Sequence, residues 1–250
     1  KGEYVYFMDS DDWIEPNLIE ENIKVIEQGN LDFVVFGYVQ DDEDEEGVLV
    51  NRIENLPQEF EYKKSRKFSI DIHHLGLLGY AWNKVYRREF LEVNKLKFEK
   101  GTSLVEDILF NAQVFTCSNI IRFNANSYYH YINRPVITLM KKFHSDSYEL
   151  KVKKNIFIER FLKCWNVKNK ERILGESLLL GLKYSISNLY SNSEGLSSKD
   201  RINYLDEMIY NPRTIEVFEN FKAMNFKDTI LLILLKYKCS RMIDLIMRKL

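Results

Sequence analysis

The sequence predicts an α/β domain followed by an all-helical region, with the change near residue 143. Three observations predict it. Residues 4 to 40 read in the order strand, helix, strand, which favours a sheet covered by helices. Strand-like patterns recur as far as residue 132, and from about 144 onward only helical periodicities remain. In 250 residues, 45% hydrophobic and 14% aromatic, there is ample material to build such a core.

The first element is the apolar run Tyr4 to Met8, a buried strand that ends on Asp9, Asp11 and Asp12. Pro16 suits the first turn of a helix, Leu18, Ile19, Ile23 and Ile26 continue it, and Gly29 is its expected stop. "DFVVFGYVQ" (32–40) is β-branched and aromatic, a second strand. The acidic run "DDEDEE" (41–46) reads as a solvated loop tip in preference to a cation site. Residues 57–78 are polar and helix-prone, and "GYAWNKVYRREFL" (79–91) reads as an amphipathic strand. In 103–115, Leu104, Ile108, Ala112 and Phe115 form one helical stripe. Residues 120–132 read as strands with a turn near Asn124 to Asn126. Helices are expected over 147–166, 171–191, 198–210, 213–223 and 226–249, with turns at 191–198 and 211–214.

A net charge of −1 selects neither nucleic acid nor membrane as a partner for the whole chain, and no nucleic-acid partner is expected. Cys117, Cys164 and Cys239 form no CxxC pair or Cys/His cluster, which argues against disulfides and structural zinc and suits a reducing, cytoplasmic compartment. The longest apolar run, "TILLILL" (229–235), is too short to span a bilayer. Residues 222–250 nevertheless carry seven Lys/Arg against two Asp, a charge of +5 on an amphipathic pattern. Packing in a helical core is the plainer reading of 226–250. Peripheral contact with an anionic membrane, at the inner face of the plasma membrane, is the functional one, and self-association is left open.

The chemistry concentrates at residues 9–12. Open α/β sheets bind ligands at the carboxyl ends of their strands. Asp9 and Asp11, two apart, point to one side if strand geometry persists, and two carboxylates there suit Mn²⁺ or Mg²⁺. Helix capping explains one Asp and not three. An EF-hand loop is excluded by Trp13 and Ile14 at its fifth and sixth positions. A metal-dependent phosphohydrolase with Asp9 as nucleophile is a weaker alternative, because Trp13 stands where that motif has Thr or Val.

"GEYVYFMDSDDWIEP" (2–16) closely resembles the metal-binding segment of family 2 glycosyltransferases with the GT-A fold. The resemblance implies a truncated GT-A-like domain over 1–143, followed by a helical region over 144–250. It implies a nucleotide-sugar donor, a UDP-sugar foremost, and a glycan or lipid-linked acceptor in bacterial polysaccharide assembly, with inversion. Asp9 would lie near donor and metal, and Asp11 would ligate the metal. "VEDILF" (105–110) resembles the family's acidic pair, which makes Asp107 the general base and Glu106 its neighbour. "AWNKVYRREFL" (81–91) is similar to a family stretch in which Trp82 would stack on a sugar and Lys84 would touch phosphate or acceptor. "YYHYINRPVITLMKK" (128–142) lies where the family has a basic loop, so His130 and Arg134 are candidates for the leaving diphosphate. His73 and His74 read as surface residues. The resemblance begins partway through the family domain and lacks its nucleotide-binding first part. The isolated chain is therefore expected to transfer weakly or not at all, and a non-catalytic interaction module is the rival reading.

Overall fold

In a computed structural model, residues 2–70, 72–101, 105–135, 145–191 and 196–248 are described. They fall into two compact units, 1–136 with 160–168, and 137–159 with 169–250.

The first unit is built on a seven-stranded mixed sheet ordered β1-β6-β3-β7-β2, with β4 also on β3 and β5 also on β7. Its elements are β1 (Tyr4–Tyr6), β2 (Trp13–Ile14), α1 (Leu18–Gly29), β3 (Phe33–Glu43), β4 (Leu49–Asn55), β5 (Phe60–Lys63), α2 (Ile72–Gly79), β6 (Lys84–Arg87), α3 (Arg88–Val93), α4 (Glu106–Cys117) and β7 (Ile120–Asn133). β3 and β7 run parallel, and every other pairing is antiparallel. Val34, Val35 and Phe36 of β3 are fully buried, as an apolar central strand requires. Among the described residues β1 lies at one edge and pairs with β6, in the register Tyr4–Arg87 to Tyr6–Val85.

Several expected elements differ. The stop of α1 is Asn30, left-handed at φ 45°, with Leu31 N–H returning to the Ile26 carbonyl at 2.9 Å. The acidic run is not all loop: Asp41, Asp42 and Glu43 continue β3, and only the following residues turn. Buried Asp41 is held by the Arg52 guanidinium at 2.6 and 3.1 Å, and this ion pair lets a carboxylate enter the sheet. The stretch 57–78 yields β5 and α2 instead of one helix, and 79–91 yields β6 and then α3. The turn expected near Asn124 is a bulge. Phe36 pairs with Asn124 while Gly37 pairs with Ser127, so two extra residues of one continuous β7 are absorbed there. A side chain at Gly37 would meet the Asn55 carbonyl at 2.8 Å, so this bulge site needs glycine. His74 stacks on Phe123 at 4.7 Å and bonds Tyr62 at 2.8 Å, leaving His73 as the surface histidine.

The second unit is helical: the first part of α5 (Ser147–Cys164), then α6 (Lys170–Ser191), α7 (Ser198–Tyr210), α8 (Pro212–Phe218), α9 (Phe226–Lys236) and α10 (Ser240–Met247). Leu178, Leu182, Leu189, Leu205, Met208 and Ile243 pack into its core. Ser197 and Asp200 form a capping box on α7, Asn211 with Pro212 opens α8, and Asn225 caps α9. The helix expected over 226–249 is two helices, broken at Lys238, whose φ of 56° is left-handed. The last turn of α5 belongs to the first unit, where Phe161 packs 5.4 Å from Phe115 and the Trp165 indole donates to the Phe115 carbonyl.

Candidate active site

β1 ends just before the acidic segment, and β2 then fixes the segment's far end by pairing Trp13 with His130 and Ile14 with Tyr129. Asp12 ties the segment down. One of its oxygens accepts from the Ile132 N–H at 2.8 Å and the other from the Tyr129 phenol. Burial nonetheless pushes the Asp12 carboxyl up, because those hydrogen bonds offset desolvation only in part and Asp11 and Asp9 add negative charge. Asp12 is therefore spent on structure, which leaves Asp9 and Asp11 for a ligand.

Asp9 is raised by burial first, and then by the negative charge of Asp107, Asp11 and Glu106. The fold thus brings Asp9 within electrostatic reach of the acidic pair that opens α4. Asp107 stands in the first turn of that helix, where a carboxylate complements the helix dipole. Its Oδ2 accepts from the Ala81 N–H at 2.9 Å. Burial raises its proton affinity, the Ala81 hydrogen bond and the Lys84 charge lower it, and Glu106 raises it; the net direction is up. Asn111, one turn on, donates to the Asp107 carbonyl at 2.9 Å and accepts from Tyr86 at 2.9 Å, which fixes the start of the helix. Glu106 Oε2 is buried with no hydrogen-bond partner. An unpaired carboxylate oxygen beside three more acids is a costly arrangement in a finished protein unless a cation or a hydroxyl donor comes to it.

Two expected contacts are corrected. Lys84 is fully buried and gives its protons to the carbonyls of Leu77 and Tyr80 and to Asn83 Oδ1, so it cannot reach phosphate or acceptor. Desolvation pulls its proton affinity well down, and the Asp107 charge opposes this. Trp82 is 6% exposed, stacked on Tyr80 at 4.5 Å and on Tyr129 at 4.4 Å, and offers no face to a sugar. It is a wall of the site and not its surface.

His130 is also interior: its Nδ1 lies 2.8 Å from Asp41 and its ring stacks 3.5 Å from Trp13. Arg134 follows β7, is exposed, and pairs with Glu43 at 2.8 Å. The rest of the basic loop expected there, 136–142, lies outside the described residues.

Four aromatic residues escaped the sequence reading as site residues. Trp13, next to Asp12 in sequence, is 42% exposed even though one ring face is stacked on His130. Tyr131 feels the charges of Asp12, Asp11 and Asp9, and burial first raises its phenol. Tyr80 lies 5.7 Å from Tyr38 in the same cluster. The Tyr6 hydroxyl is buried without a hydrogen-bond partner and is raised by burial and then by Asp12 and Asp9. Alternation along "YYHYI" and "YVYF" marks such residues as facing one way, but nothing in it says toward which acids.

Among the described residues no group of three or more His, Cys, Asp or Glu is arranged as a metal cage. The donor set fits a different kind of cation site. Mg²⁺ and Mn²⁺ are commonly held by one or two carboxylates while a substrate phosphate completes the shell. Asp9 and Asp11, which repel each other, provide that number of ligands, and Glu106 and Asp107 add to the negative charge around Asp9 that a cation would neutralise.

Residues 1–93 match the family model described as glycosyl transferase family 2. The putative glycosyltransferase EpsH of Bacillus subtilis (strain 168) is 27% identical over 133 residues, which cover 52% of this chain and 38% of that protein. Glycosyltransferase GlyA of Streptococcus pneumoniae is 30% identical over 135 residues, 52% of this chain and 19% of that protein. The chain thus spans well under half the length of these relatives. Among solved structures, S. aureus TarS 1–349 in complex with UDP-GlcNAc is 20% identical, with a TM-score of 0.61 over 99% of this chain and 66% of that one. TarS 1–349 in complex with UDP gives a TM-score of 0.59 at 22% identity, over 98% of this chain and 65% of that one. The mixed sheet with its helical C-terminal region therefore has the GT-A-like architecture of TarS. The matched N-terminal residues are those that carry β1 and the acidic segment, so the similarity to glycosyl transferase family 2 falls on the candidate site itself.

Proposed function

We propose that this chain carries the acidic half of a metal-dependent glycosyltransferase site, which moves a sugar from a UDP-sugar to a hydroxyl of a glycan or lipid-linked acceptor in bacterial polysaccharide assembly. The observation that carries this reading is the electrostatic meeting of Asp9 with its neighbour Asp11 and with Asp107 and Glu106, which come from a segment far along in sequence. A divalent cation, when bound, would be held by Asp11 and Asp9 and would neutralise the diphosphate. Asp107, with Oδ2 fixed by the Ala81 N–H, takes the proton of the acceptor hydroxyl on its other oxygen. The acceptor oxygen then bonds to the anomeric carbon as the bond to the diphosphate oxygen breaks, and the electron pair leaves with the diphosphate. Attack from the face opposite the leaving group inverts the anomeric centre. Burial raises the proton affinity of Asp107, which makes it a stronger base once it is ionised. Trp13 supplies an exposed ring beside the donor acids, and Arg134 stands at the end of β7 with a charge suited to phosphate.

Among the described residues β1 has a sheet neighbour on one side, and transfer by this chain alone is expected to be weak. Binding is therefore the first readout. Calorimetric titration with Mn²⁺ should give heat that grows when UDP is present and that is lost in Asp11→Asn. Absence of binding in the unaltered chain and in a longer parent would leave the interaction-module reading standing. Phosphate release that depends on Asp9 would assign the site to a phosphohydrolase instead.

A further inference from the structure

The helical unit ends in a surface at odds with its own folding. A helix that packs on a core keeps its apolar stripe inward and turns polar residues to water. α9 meets the first condition: Leu235 is buried, and Leu231, Leu232 and Leu234 pack against the core. Its solvent side then breaks the second. Phe226, Ile230, Ile233 and Tyr237, at spacings of four, three and four, form one continuous line, and all four are exposed, Phe226 at 78% and Tyr237 at 72%. At about 100° per residue, Lys227 falls on one flank of that line and Lys236 on the other.

α10 repeats the pattern after the break at Lys238. Ser240, Ile243 and Asp244 are buried, while Met242, Leu245 and Ile246 are exposed and Arg241 and Arg248 rim them on one side. Met224, just ahead of α9, is 77% exposed.

The charges are sorted as well. Both acids of this segment are turned to partners of the helical unit. Asp228 bonds Lys183 and Asn225, and Asp244 takes bonds from Tyr190, Ser198 and Arg201. The outward rim thus presents Lys227, Lys236 and Arg241 around an apolar centre, with Arg248, paired to Asp244 at 3.5 Å, and Lys238, over the Tyr210 ring at 4.6 Å, beside them. No described helix is long and apolar enough to cross a membrane. An apolar line with an aromatic residue at each end, flanked by long cationic side chains that can reach outward past it, has the chemistry of a helix lying in a lipid interface.

We propose that the outer face of α9 and α10 docks on an anionic bilayer, with Phe226, Ile230, Ile233, Met242 and Leu245 entering the headgroup boundary and the rim cations meeting lipid phosphates. The basic rim selects this occupant over an uncharged apolar partner. The proposal does not depend on the transfer reaction, because none of its residues belongs to the acidic site.

The test is sedimentation of the 250-residue chain with vesicles of phosphatidylcholine alone, and of phosphatidylcholine mixed with phosphatidylglycerol. Binding is expected only to the mixed vesicles and should weaken as salt rises. Lys227→Glu with Lys236→Glu should reduce it by roughly 30-fold or more, from about 1 kcal/mol per cation at the surface. Phe226→Ser with Tyr237→Ser, both at exposed positions, should reduce it without moving the thermal midpoint, which separates loss of docking from loss of fold. Equal binding to both vesicle types, no binding to either, or binding indifferent to both double variants would overturn the proposal. A concentration-dependent dimer that the Phe226 and Tyr237 changes dissolve, in place of vesicle binding, would give the face to a second copy and overturn it as well.

Discussion

Replacing Asp12 by Ala should disarm the acidic site without touching a residue assigned to the ligand. The carboxylate accepts the Ile132 N–H at 2.8 Å and the Tyr129 phenol, and both donors lie on a strand whose Ile132 and Tyr129 are buried. Truncation leaves two buried donors without partners, and each costs about 1 to 3 kcal/mol. Repulsion from Asp9 and Asp11 and the cost of burying the charge, which together raise the Asp12 carboxyl, are relieved at the same time and return part of that. The net loss should be about 2 to 4 kcal/mol. Asp12→Asn keeps one oxygen to accept the Ile132 N–H, and its amide N–H2 can donate to the Tyr129 phenol oxygen in place of accepting from it, so its loss should be nearer 1 kcal/mol. Urea unfolding of the three proteins gives the stabilities, and the Mn²⁺/UDP titration should weaken in the same order. If Asp12→Ala unfolds at the same urea concentration as the unaltered chain, Asp12 is not the clamp. If it is destabilised but binds Mn²⁺ and UDP as well as before, the clamp does not position Asp9 and Asp11.

Asp107→Asn in a longer, active parent should lower kcat by about 10² to 10⁴ with the fold intact, as expected for loss of a general base; an unchanged kcat would remove Asp107 from the reaction. Lys84→Ala should destabilise by about 3 kcal/mol, because the Tyr80 carbonyl and Asn83 Oδ1 lose the donor Lys84 supplies, while the Leu77 carbonyl keeps only Asn83. A stable Lys84→Ala protein that merely loses acceptor affinity would restore the surface role the structure denies it. In the helical unit, burial alone would raise Asp244, but hydrogen bonds from Tyr190, Arg201 and Ser198 and the Arg201 charge outweigh it, and the carboxyl is held below its ordinary value. A depressed carboxyl contributes stability that is present above its unfolded value near 4 and lost as pH falls through the lower folded value. Thermal melts between pH 6 and pH 3 should therefore show a drop that is smaller in Asp244→Asn, and identical slopes would refute the linkage.

The acidic segment was legible because its chemistry is local: a short apolar strand, then three carboxylates within four residues. The α/β-to-helical change was legible for a similar reason, since periodicity is a property of neighbours in sequence. What failed was partnership at long range. Asp41 reads as loop until Arg52 is seen to neutralise it, and His130 to hydrogen-bond it, inside the sheet. Lys84 and Trp82 read as site residues because their types bind phosphates and sugars, yet carbonyls at the end of α2 and flanking tyrosines consume them first. The turn expected at Asn124 was a sound local inference that the parallel partner β3 overruled, by absorbing the extra residues as a bulge. The C-terminal helix was drawn too long because no Gly or Pro marks its break, which Lys238 makes by adopting a left-handed backbone.

The Asp12 clamp also sets a timetable. Its partner Tyr129 lies 117 residues further along the chain. At a synthesis rate of about 5 to 20 residues per second, the acids leave the ribosome roughly 6 to 23 seconds before the strand that aligns them. For that interval β1 and its acids wait without β7, which must itself find β3 in a slow, non-local parallel pairing. The site is thus among the last parts of the first unit to be finished, although its residues are among the first to be made.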